Sequence, residues 1–125
     1  MANLNVKVCG IPFKNPIIAA SGTFGFGREY NQIYDISVLG GISTKGLTLA
    51  PRLGNNTPRI AESYGVVLNA VGLQNPGGDA FLLEELPFLK SKNIAIIANI
   101  AGNTLDDYAK MCEKLANKVD MIELN

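Results

Sequence analysis

The sequence predicts an α/β fold, the N-terminal half of a (β/α)₈ TIM barrel with an N-terminal hairpin. Short apolar runs rich in Ile and Val alternate with helical patterns, which is typical of parallel strands joined by helices. The runs end in Ser21, Lys45, Asn99 and Asn125, and the first and last intervals between them, 24 and 26 residues, each fit one βαβ unit. A closed barrel needs about 250 residues. We therefore expect residues 1–125 to be the N-terminal half of one domain, a fragment of a longer chain.

The composition is that of a folded globular domain without a nucleic-acid or membrane footprint. Hydrophobic residues make up 47% and charged residues 18%, and the 11 basic residues balance the 11 acidic ones. No cluster of Lys or Arg indicates nucleic acid or an anionic membrane as a partner. The chain has no histidine, which excludes histidine-based triads and histidine-ligated metals, and we expect no metal site. We expect a cytoplasmic protein with reduced cysteines.

The first elements are a hairpin, a strand and a helix. The segments "NVKVCG" and "IPFKNPII" alternate around Gly10 like the two arms of a hairpin at one end of the barrel. The first barrel strand, "PIIAAS", ends at Ser21 and is followed by "GTFGFG". Glycines before a helix let backbone N–H groups approach an anionic ligand, although a simple turn explains any single one of them. "GREYNQIYDISVLG" then has the apolar spacing of a helix.

The second strand, "GISTK", ends at Lys45 and leads into an insertion. The interval from Lys45 to Asn99 is 54 residues, and residues 48–78 within it are rich in Pro, Gly and Asn. A connection of this length indicates a functional loop. Asn69 stands in the apolar run "VVLNAVGLQNPGG". It is interpreted either as a ligand-binding amide or as a buried amide that caps its own turn.

The remaining elements are two helices and two strands. "DAFLLEELPFLKSKN" is helical, and Pro87 is expected to end or kink it. The strand "IAIIAN" ends at Asn99. "NTLDDYAKMCEKLANK" follows with Asn103 or Thr104 as its N-cap, and Cys112 is interpreted as a packing residue of this helix. The last strand, "VDMIELN", ends at Asn125.

The strand ends predict a binding site. In a parallel α/β barrel these positions meet at one mouth, where active sites are built. Polar residues also end strands simply because the chain reaches the surface there, and that explanation covers any one of them. Amides together with one lysine suit a planar, hydrogen-bonding ligand such as a flavin or a pyrimidine. A lysine beside a reducible ring can stabilise developing negative charge, although Lys45 fits a surface lysine equally well.

Five motifs together carry a family resemblance. "NPIIAASGTFGFGREY", "STKGLTLAPRLGNNTPRIAE", "LNAVGLQNPGG", "IIANIAG" and "IELN" occur in this order from about Val6 to the end of the chain. In these motifs the sequence resembles class 1 dihydroorotate dehydrogenase, and "GTFGFG" with "TKGLTLAPR" favours subtype 1B. The resemblance implies a flavoprotein oxidoreductase with an FMN-binding TIM barrel. Such an enzyme oxidises dihydroorotate to orotate in de novo pyrimidine (UMP) biosynthesis and passes a hydride to FMN.

The resemblance also implies roles for individual residues. The positions that match FMN contacts are Ser21, Lys45, Gly46, Asn99 and Asn125. The positions that match substrate contacts are Lys45, Asn69, Ala70, Val71, Gly72, Leu73 and Asn125. The catalytic base of the subtype is a cysteine that would lie just after Asn125, so no catalytic base is assigned here and residues 1–125 alone are expected to be inactive.

The implied partner is a second subunit that carries FAD and a 2Fe–2S cluster and passes electrons to NAD, around a homodimeric core. Two alternatives remain open. One is a related FMN barrel that acts on another pyrimidine, as a dihydropyrimidine dehydrogenase does. The other is a half-barrel without catalysis, whose open strand edge would need a partner.

Overall fold

The computed structural model describes residues 2–125, so residue 1 of the predicted domain lies outside it. Its helices are α1 (Gly77–Ala80), α2 (Leu86–Ser91) and α3 (Leu105–Leu115). Its strands are β1 (Val6–Val8), β2 (Ile11–Phe13), β3 (Ile18–Ala19), β4 (Gly41–Ser43), β5 (Ile60–Ser63), β6 (Val66–Asn69), β7 (Ala95–Ile100) and β8 (Met121–Leu124).

A four-stranded parallel sheet in the order β3-β4-β7-β8 forms the centre of the molecule. These are the four predicted barrel strands, and each lies beside the next one along the chain. The register places Ser43 opposite Ile97 and Asn99 opposite Glu123. The predicted α/β architecture is therefore confirmed, and all four strands point in one direction, as barrel strands do.

The two faces of the sheet differ. One face packs against the helices in a continuous apolar core, whose fully or nearly fully buried members include Ile42, Ile96, Ala98, Ile100, Phe81, Leu89, Met111 and Leu115. Because side chains alternate along a strand, Ser43, Asn99 and Glu123 belong to the other face. There the Ser43 hydroxyl donates to the Glu123 carboxylate. Because the helices of an α/β barrel form its outer ring, the face without helices is the one that turns inward.

The predicted N-terminal hairpin is present. β1 and β2 pair antiparallel across the two residues Cys9 and Gly10, whose φ angles are +50° and +81°. A two-residue turn with both φ angles positive matches the twist of the strands it joins. Phe13 of β2 is buried, and a Cβ built on Gly41 would lie 3.0 Å from its ring. Because Gly41 begins β4, the hairpin lies at the amino-terminal end of the sheet.

The helix predicted for "GREYNQIYDISVLG" is wrong. The segment forms two short 3₁₀ turns, Tyr30–Gln32 and Ile36–Val38, on either side of Asp35. The Asp35 carboxylate accepts the Ser37 backbone N–H, so it caps the second turn instead of continuing a helix. Ile33 is 80% exposed and Ile36 is buried, so the apolar spacing does not form one core-facing stripe.

The other two helices follow the prediction more closely. α1 continues through the π-helical segment Phe81–Glu85 into α2, and Pro87 lies in the first turn of α2. The expected interruption is thus a change of helical pitch rather than an end. Of the two predicted caps for α3, Thr104 is the one used, in a capping box with Asp107.

Candidate functional site

The predicted polar residues lie at the carboxyl ends of the parallel strands. Ser21 lies two residues after β3 and Lys45 lies two residues after β4. Asn125 directly follows β8. The prediction that Asn99 ends its strand is wrong by one residue, because β7 continues to Ile100. The residues nevertheless occupy one edge of the sheet, the edge at which α/β barrels bind ligands.

Asn99 is the centre of this edge, with only 2% of its surface exposed. Its backbone N–H donates to the Thr44 hydroxyl at 3.2 Å, and its carbonyl oxygen accepts the Leu47 N–H at 2.9 Å. Its side-chain Oδ1 accepts a hydrogen bond from Asn125 Nδ2 at 3.1 Å. Within residues 2–125, no acceptor is found for Asn99 Nδ2. Among the described residues, Asn99 Nδ2 is not one of the side-chain atoms that are both fully buried and unpaired, so this donor stays accessible at the edge of the sheet, where water or a ligand can accept its hydrogen bond.

Gly46 permits a close approach of the surrounding groups. A Cβ built at this position would lie 2.9 Å from both Asn99 Oδ1 and Leu73 Cδ1, and 3.7 Å from Asn125 Nδ2. A real Cβ does not come within 3.0 Å of another heavy atom. The glycine therefore lets a residue from the insertion, Leu73, lie against the two amides. Gly46, Leu73, Asn99 and Asn125 are called the amide cluster below.

Lys45 lies beside the cluster under the glycine-containing loop. Its backbone N–H donates to the Gly25 carbonyl oxygen at 3.0 Å. Lys45 also lines a cavity of about 600 Å³ together with Arg52, Gln74 and Asn75. That volume is in the range of small-molecule sites. Ser21 lies in the turn after β3, and no hydrogen bond joins it to the amide cluster in the described part of the chain.

The predicted substrate residues are divided by the structure. Of residues 69–73, only Leu73 belongs to the amide cluster. Asn69 and Ala70 are exposed at the end of an antiparallel hairpin formed by β5 and β6. Asn69 pairs in register with Ile60 of β5. The interpretation of Asn69 as a buried amide is wrong, because the apolar run that carries it belongs to an exposed strand. The hairpin itself was not predicted.

The turn between the hairpin and Leu73 is attached to the preceding loop. The Asn55 N–H donates to the Val71 carbonyl oxygen at 3.0 Å, and Asn55 Nδ2 donates to the Ala70 carbonyl oxygen at 2.8 Å. The Ala70 N–H in turn donates to the Arg59 carbonyl oxygen at 2.8 Å. Gly72 has a φ of +76°, and a Cβ there would lie 2.8 Å from the Asn55 nitrogen, so glycine is required for this approach.

Sequence reasoning missed two buried polar residues behind the site. Thr44 is fully buried, and its hydroxyl accepts the backbone N–H of Asn99. Asn75 is a buried residue of the insertion itself. The Asn-Pro-Gly string that contains Asn75 is a turn signal, from which a bond between side chain and backbone could have been predicted. Thr44 has no comparable signal, because its role depends on the pairing of two strands.

Four further findings concern the rest of the described chain. A second cavity, of about 620 Å³, lies at the amino-terminal end of the sheet, and no predicted site residue lines it. Over residues 2–125, no group of three or more His, Cys, Asp or Glu side chains is arranged to hold a metal ion. In the same residues, none of the helices has the length and apolar character needed to cross a membrane. Cys112 packs against the core, as predicted.

The fold and the site define part of an α/β-barrel protein with amides and a lysine at the carboxyl ends of its strands. Comparison with known proteins then identifies the family. The family model described as dihydroorotate dehydrogenase matches residues 3–125. The chain belongs to the dihydroorotate dehydrogenase family, as the sequence motifs predict.

The most similar relatives considered are catalytic subunits of dihydroorotate dehydrogenase B (NAD(+)). The chain is 57% identical to that of Petrotoga mobilis, over 100% of this chain and 42% of the relative. It is 56% identical to that of Caldicellulosiruptor saccharolyticus, over 98% and 41%, and 54% identical to that of Bacillus caldolyticus, over 100% and 41%. The resemblance to subtype 1B is confirmed, and the chain spans about two fifths of the length of these relatives.

Solved structures share the fold at low sequence identity. The ligand-free type DHODH from Eimeria tenella superposes with a TM-score of 0.77 at 20% identity, over 98% of this chain and 38% of that one. DHODH from the same organism in complex with ferulenol has a TM-score of 0.77 at 21% identity, over 98% and 36%. At this identity the likeness shows the fold alone.

Proposed function

We propose that the protein carrying this chain oxidises dihydroorotate to orotate in de novo pyrimidine biosynthesis, and that residues 1–125 are the N-terminal half of its FMN-binding barrel. The names of the relatives support the reaction. The observation that carries the proposal is the amide cluster, in which the mostly buried residue Asn99 presents an accessible amide donor beside a glycine and a second amide. A planar ligand with hydrogen-bond acceptors would use that donor.

The residues present fit FMN. Asn99 offers a free N–H donor, Gly46 leaves the strand edge without a side chain, and Lys45 supplies a cation next to the glycine-containing loop. When bound, FMN accepts the hydride removed from the substrate. We assign its contacts to the set predicted from the family resemblance, namely Ser21, Lys45, Gly46, Asn99 and Asn125. The amides orient the ring, and the ammonium group of Lys45 favours negative charge on it.

Dihydroorotate binds between this edge and the insertion. Lys45 and Asn125 lie on the sheet side, and residues 69–73 lie on the loop side, with Leu73 in contact range of the cluster. Asn69 and Ala70 face solvent in the structure, so the hairpin that carries them would bend towards the mouth when substrate binds. The catalytic base, a cysteine in the resemblance, is assigned to a part of the protein outside these residues, and residues 1–125 alone are inactive.

The name of the relatives, a catalytic subunit linked to NAD(+), supports a partner subunit for electron transfer. We assign FAD and a 2Fe–2S cluster to that partner, around a homodimer of the catalytic subunit in the cytoplasm.

The test is orotate formation by the purified complete protein. With an artificial electron acceptor, L-dihydroorotate is expected to be turned over and dihydrouracil is not. Lys45→Ala is expected to lower kcat/KM by about 100-fold or more, because one charge-stabilising group is removed. Turnover of dihydrouracil in place of dihydroorotate would instead support the related FMN barrel that acts on another pyrimidine. Absence of turnover with both substrates would contradict the proposal.

A further inference from the structure

Asn75 lies two residues after the proposed substrate loop and is nearly fully buried, with 5% of its surface exposed. Its Oδ1 accepts the backbone N–H groups of Thr48 at 3.1 Å and of Gly77 at 2.9 Å. Its Nδ2 donates to the Leu73 carbonyl oxygen at 2.9 Å and to the Thr48 hydroxyl at 3.0 Å. The two N–H donors identify the oxygen of the amide, so all the hydrogen-bonding capacity of the side chain is used within the loop.

The backbone that Asn75 holds is in an uncommon conformation. Leu73 has a φ of +52°, in the left-handed region that residues other than glycine seldom occupy. Such a conformation persists when the surrounding structure imposes it. Asn75 imposes it on one side through the Leu73 carbonyl oxygen, and contact near Gly46 imposes it on the other. The backbone of Asn75 is itself fixed, because it exchanges two hydrogen bonds with Arg52, of 2.9 and 3.0 Å.

We propose that Asn75 is a positioning residue of the substrate loop. Its amide nitrogen holds Leu73 against Gly46 and so sets the separation between residues 69–73 and the Asn99 amide. The inference rests on the proposed function, because it takes these residues as the side of the site that binds dihydroorotate. Asn75 acts through Leu73 and has no required contact with the substrate.

A purely structural role for Asn75 has a different signature. The bond from the Gly77 N–H to Oδ1 satisfies a free N–H of the first residue of α1, and this role needs only the oxygen. Asn75→Asp keeps an oxygen acceptor for Thr48 and Gly77 but removes both N–H donors. The variant also places a carboxylate next to the Leu73 carbonyl oxygen. Asn75→Asp therefore removes the bond to the Leu73 carbonyl oxygen and keeps an acceptor for the Gly77 N–H at the start of α1.

The first readout is hydrogen exchange in the complete protein, which needs no substrate. The N–H groups of Asn55 and Ala70 tie the turn to its neighbours through Val71 and Arg59. If Asn75 holds the turn, these two amides exchange about tenfold faster in Asn75→Asp, because a lost buried donor is worth about one power of ten. Thr48→Val, which removes the hydroxyl that is bonded to Asn75 and to the Ala50 carbonyl oxygen but keeps the bond from Asn75 to Leu73, is expected to give a smaller increase at the same amides.

The second readout is kinetic. Asn75→Asp is expected to raise KM for dihydroorotate about tenfold and to change kcat less, because loop position affects binding more than the reacting centre. The control is Thr104→Ala, which removes the cap of α3 and lowers the melting temperature without touching the loop. It is expected to leave KM and the exchange of Asn55 and Ala70 unchanged.

The outcomes are separable. Wild-type exchange rates in Asn75→Asp and Thr48→Val would overturn the proposal, whether or not the protein oxidises dihydroorotate. Faster exchange with an unchanged KM would overturn the link to substrate. If Asn75→Asp does not fold, Thr48→Val decides by the same two readouts. If the wild-type protein does not turn over dihydroorotate, the proposed function fails, and with it the link to substrate. The exchange rates then decide whether Asn75 holds the loop.

Discussion

At the scale of single residues, the site depends on the Asn99 amide, which the protein satisfies only in part. Asn99 uses its Oδ1 with Asn125 and its backbone with Thr44 and Leu47. Its remaining donor is the feature that favours a ligand at this position.

Replacing Asn99 with leucine is expected to weaken FMN binding about tenfold or more. Leucine has a similar size, but it leaves an acceptor of the bound ring without a donor, and an unsatisfied group costs about 1–3 kcal/mol. Fluorescence titration of the apoprotein with FMN measures the change. Asn56→Leu is the control, since Asn56 is exposed and lies outside the cluster. Equal FMN affinity in the Asn99 variant and the wild type would contradict this assignment.

Gly46→Ala is expected to disturb the same cluster by crowding. The new methyl group would lie 2.9 Å from Asn99 Oδ1 and Leu73 Cδ1, so one of them must move. Overpacking costs about 1–3 kcal/mol, and we expect the affinity for FMN to fall about tenfold. Gly65→Ala is the control, because nothing lies within 4 Å of a Cβ there: it strains a backbone with a φ of +73° but crowds no residue of the amide cluster. Equal FMN affinity in Gly46→Ala and the control would contradict the expected crowding of the amide cluster.

At the scale of elements, burial separates residues that look alike in the sequence. Leu89 of α2 is fully buried, whereas Leu83, in the π-helical segment before it, is 77% exposed. Leu89→Ala is expected to lower the free energy of unfolding by about 2–5 kcal/mol. Leu83→Ala should change it by less than about 0.5 kcal/mol. Urea unfolding of both variants measures the difference, and equal effects would contradict the orientation of this helix.

The cap of α3 makes stability depend on pH. The Asp107 carboxylate accepts the backbone N–H groups of Asn103 and Thr104, and these bonds lower its pKa below the ordinary value of 3.8. Because the pKa is lowered on folding, the stabilisation is fully present above the unfolded value and is lost as the pH falls through the folded value. We expect Asp107→Asn to lower the melting temperature at neutral pH, with a difference from wild type that shrinks in acid.

Melting curves at a series of pH values check this expectation. Glu113→Gln is the matched control, because Glu113 is exposed on the same helix and lies away from its cap. A melting-temperature difference for Asp107→Asn that stays constant down to strongly acidic pH would show that the charge of Asp107 plays no part.

Some secondary-structure elements could be predicted from the sequence and others could not. The parallel strands and α3 were predictable because their apolar runs and caps are local signals. The helix expected over residues 27–40 failed because the competing bond of Asp35 was not recognised. The hairpin β5–β6 was missed because its apolar residues are exposed, contrary to the assumption that such runs are buried.

The candidate site was predictable in location more than in detail. Strand ends identified Ser21, Lys45, Asn99 and Asn125 because parallel strands bring their carboxyl ends together. The proximity of Leu73 to Gly46, and the roles of Thr44 and Asn75, depend on how the insertion folds back over the sheet. That return involves contacts between residues far apart in the sequence, for which a single sequence has no local signal.

At the scale of the whole molecule, the sheet has two open edges. β3 and β8 each pair on one side only within residues 2–125, and Ile17 and Leu124 beside these edges are exposed. Open apolar edges promote association. We expect residues 1–125 produced alone to self-associate, and light scattering after gel filtration measures this. A stable monomer that binds no FMN would support the alternative of a half-barrel without catalysis.

The central claim is that this chain supplies the FMN and dihydroorotate site of a dihydroorotate dehydrogenase. The most direct measurement is the visible absorption spectrum of the purified complete protein, recorded without oxygen before and after addition of L-dihydroorotate. We predict a flavin spectrum that is bleached by dihydroorotate, and a weaker flavin spectrum in Asn99→Leu at the same protein concentration. A colourless protein, or a flavin spectrum that dihydroorotate leaves unchanged, would contradict it.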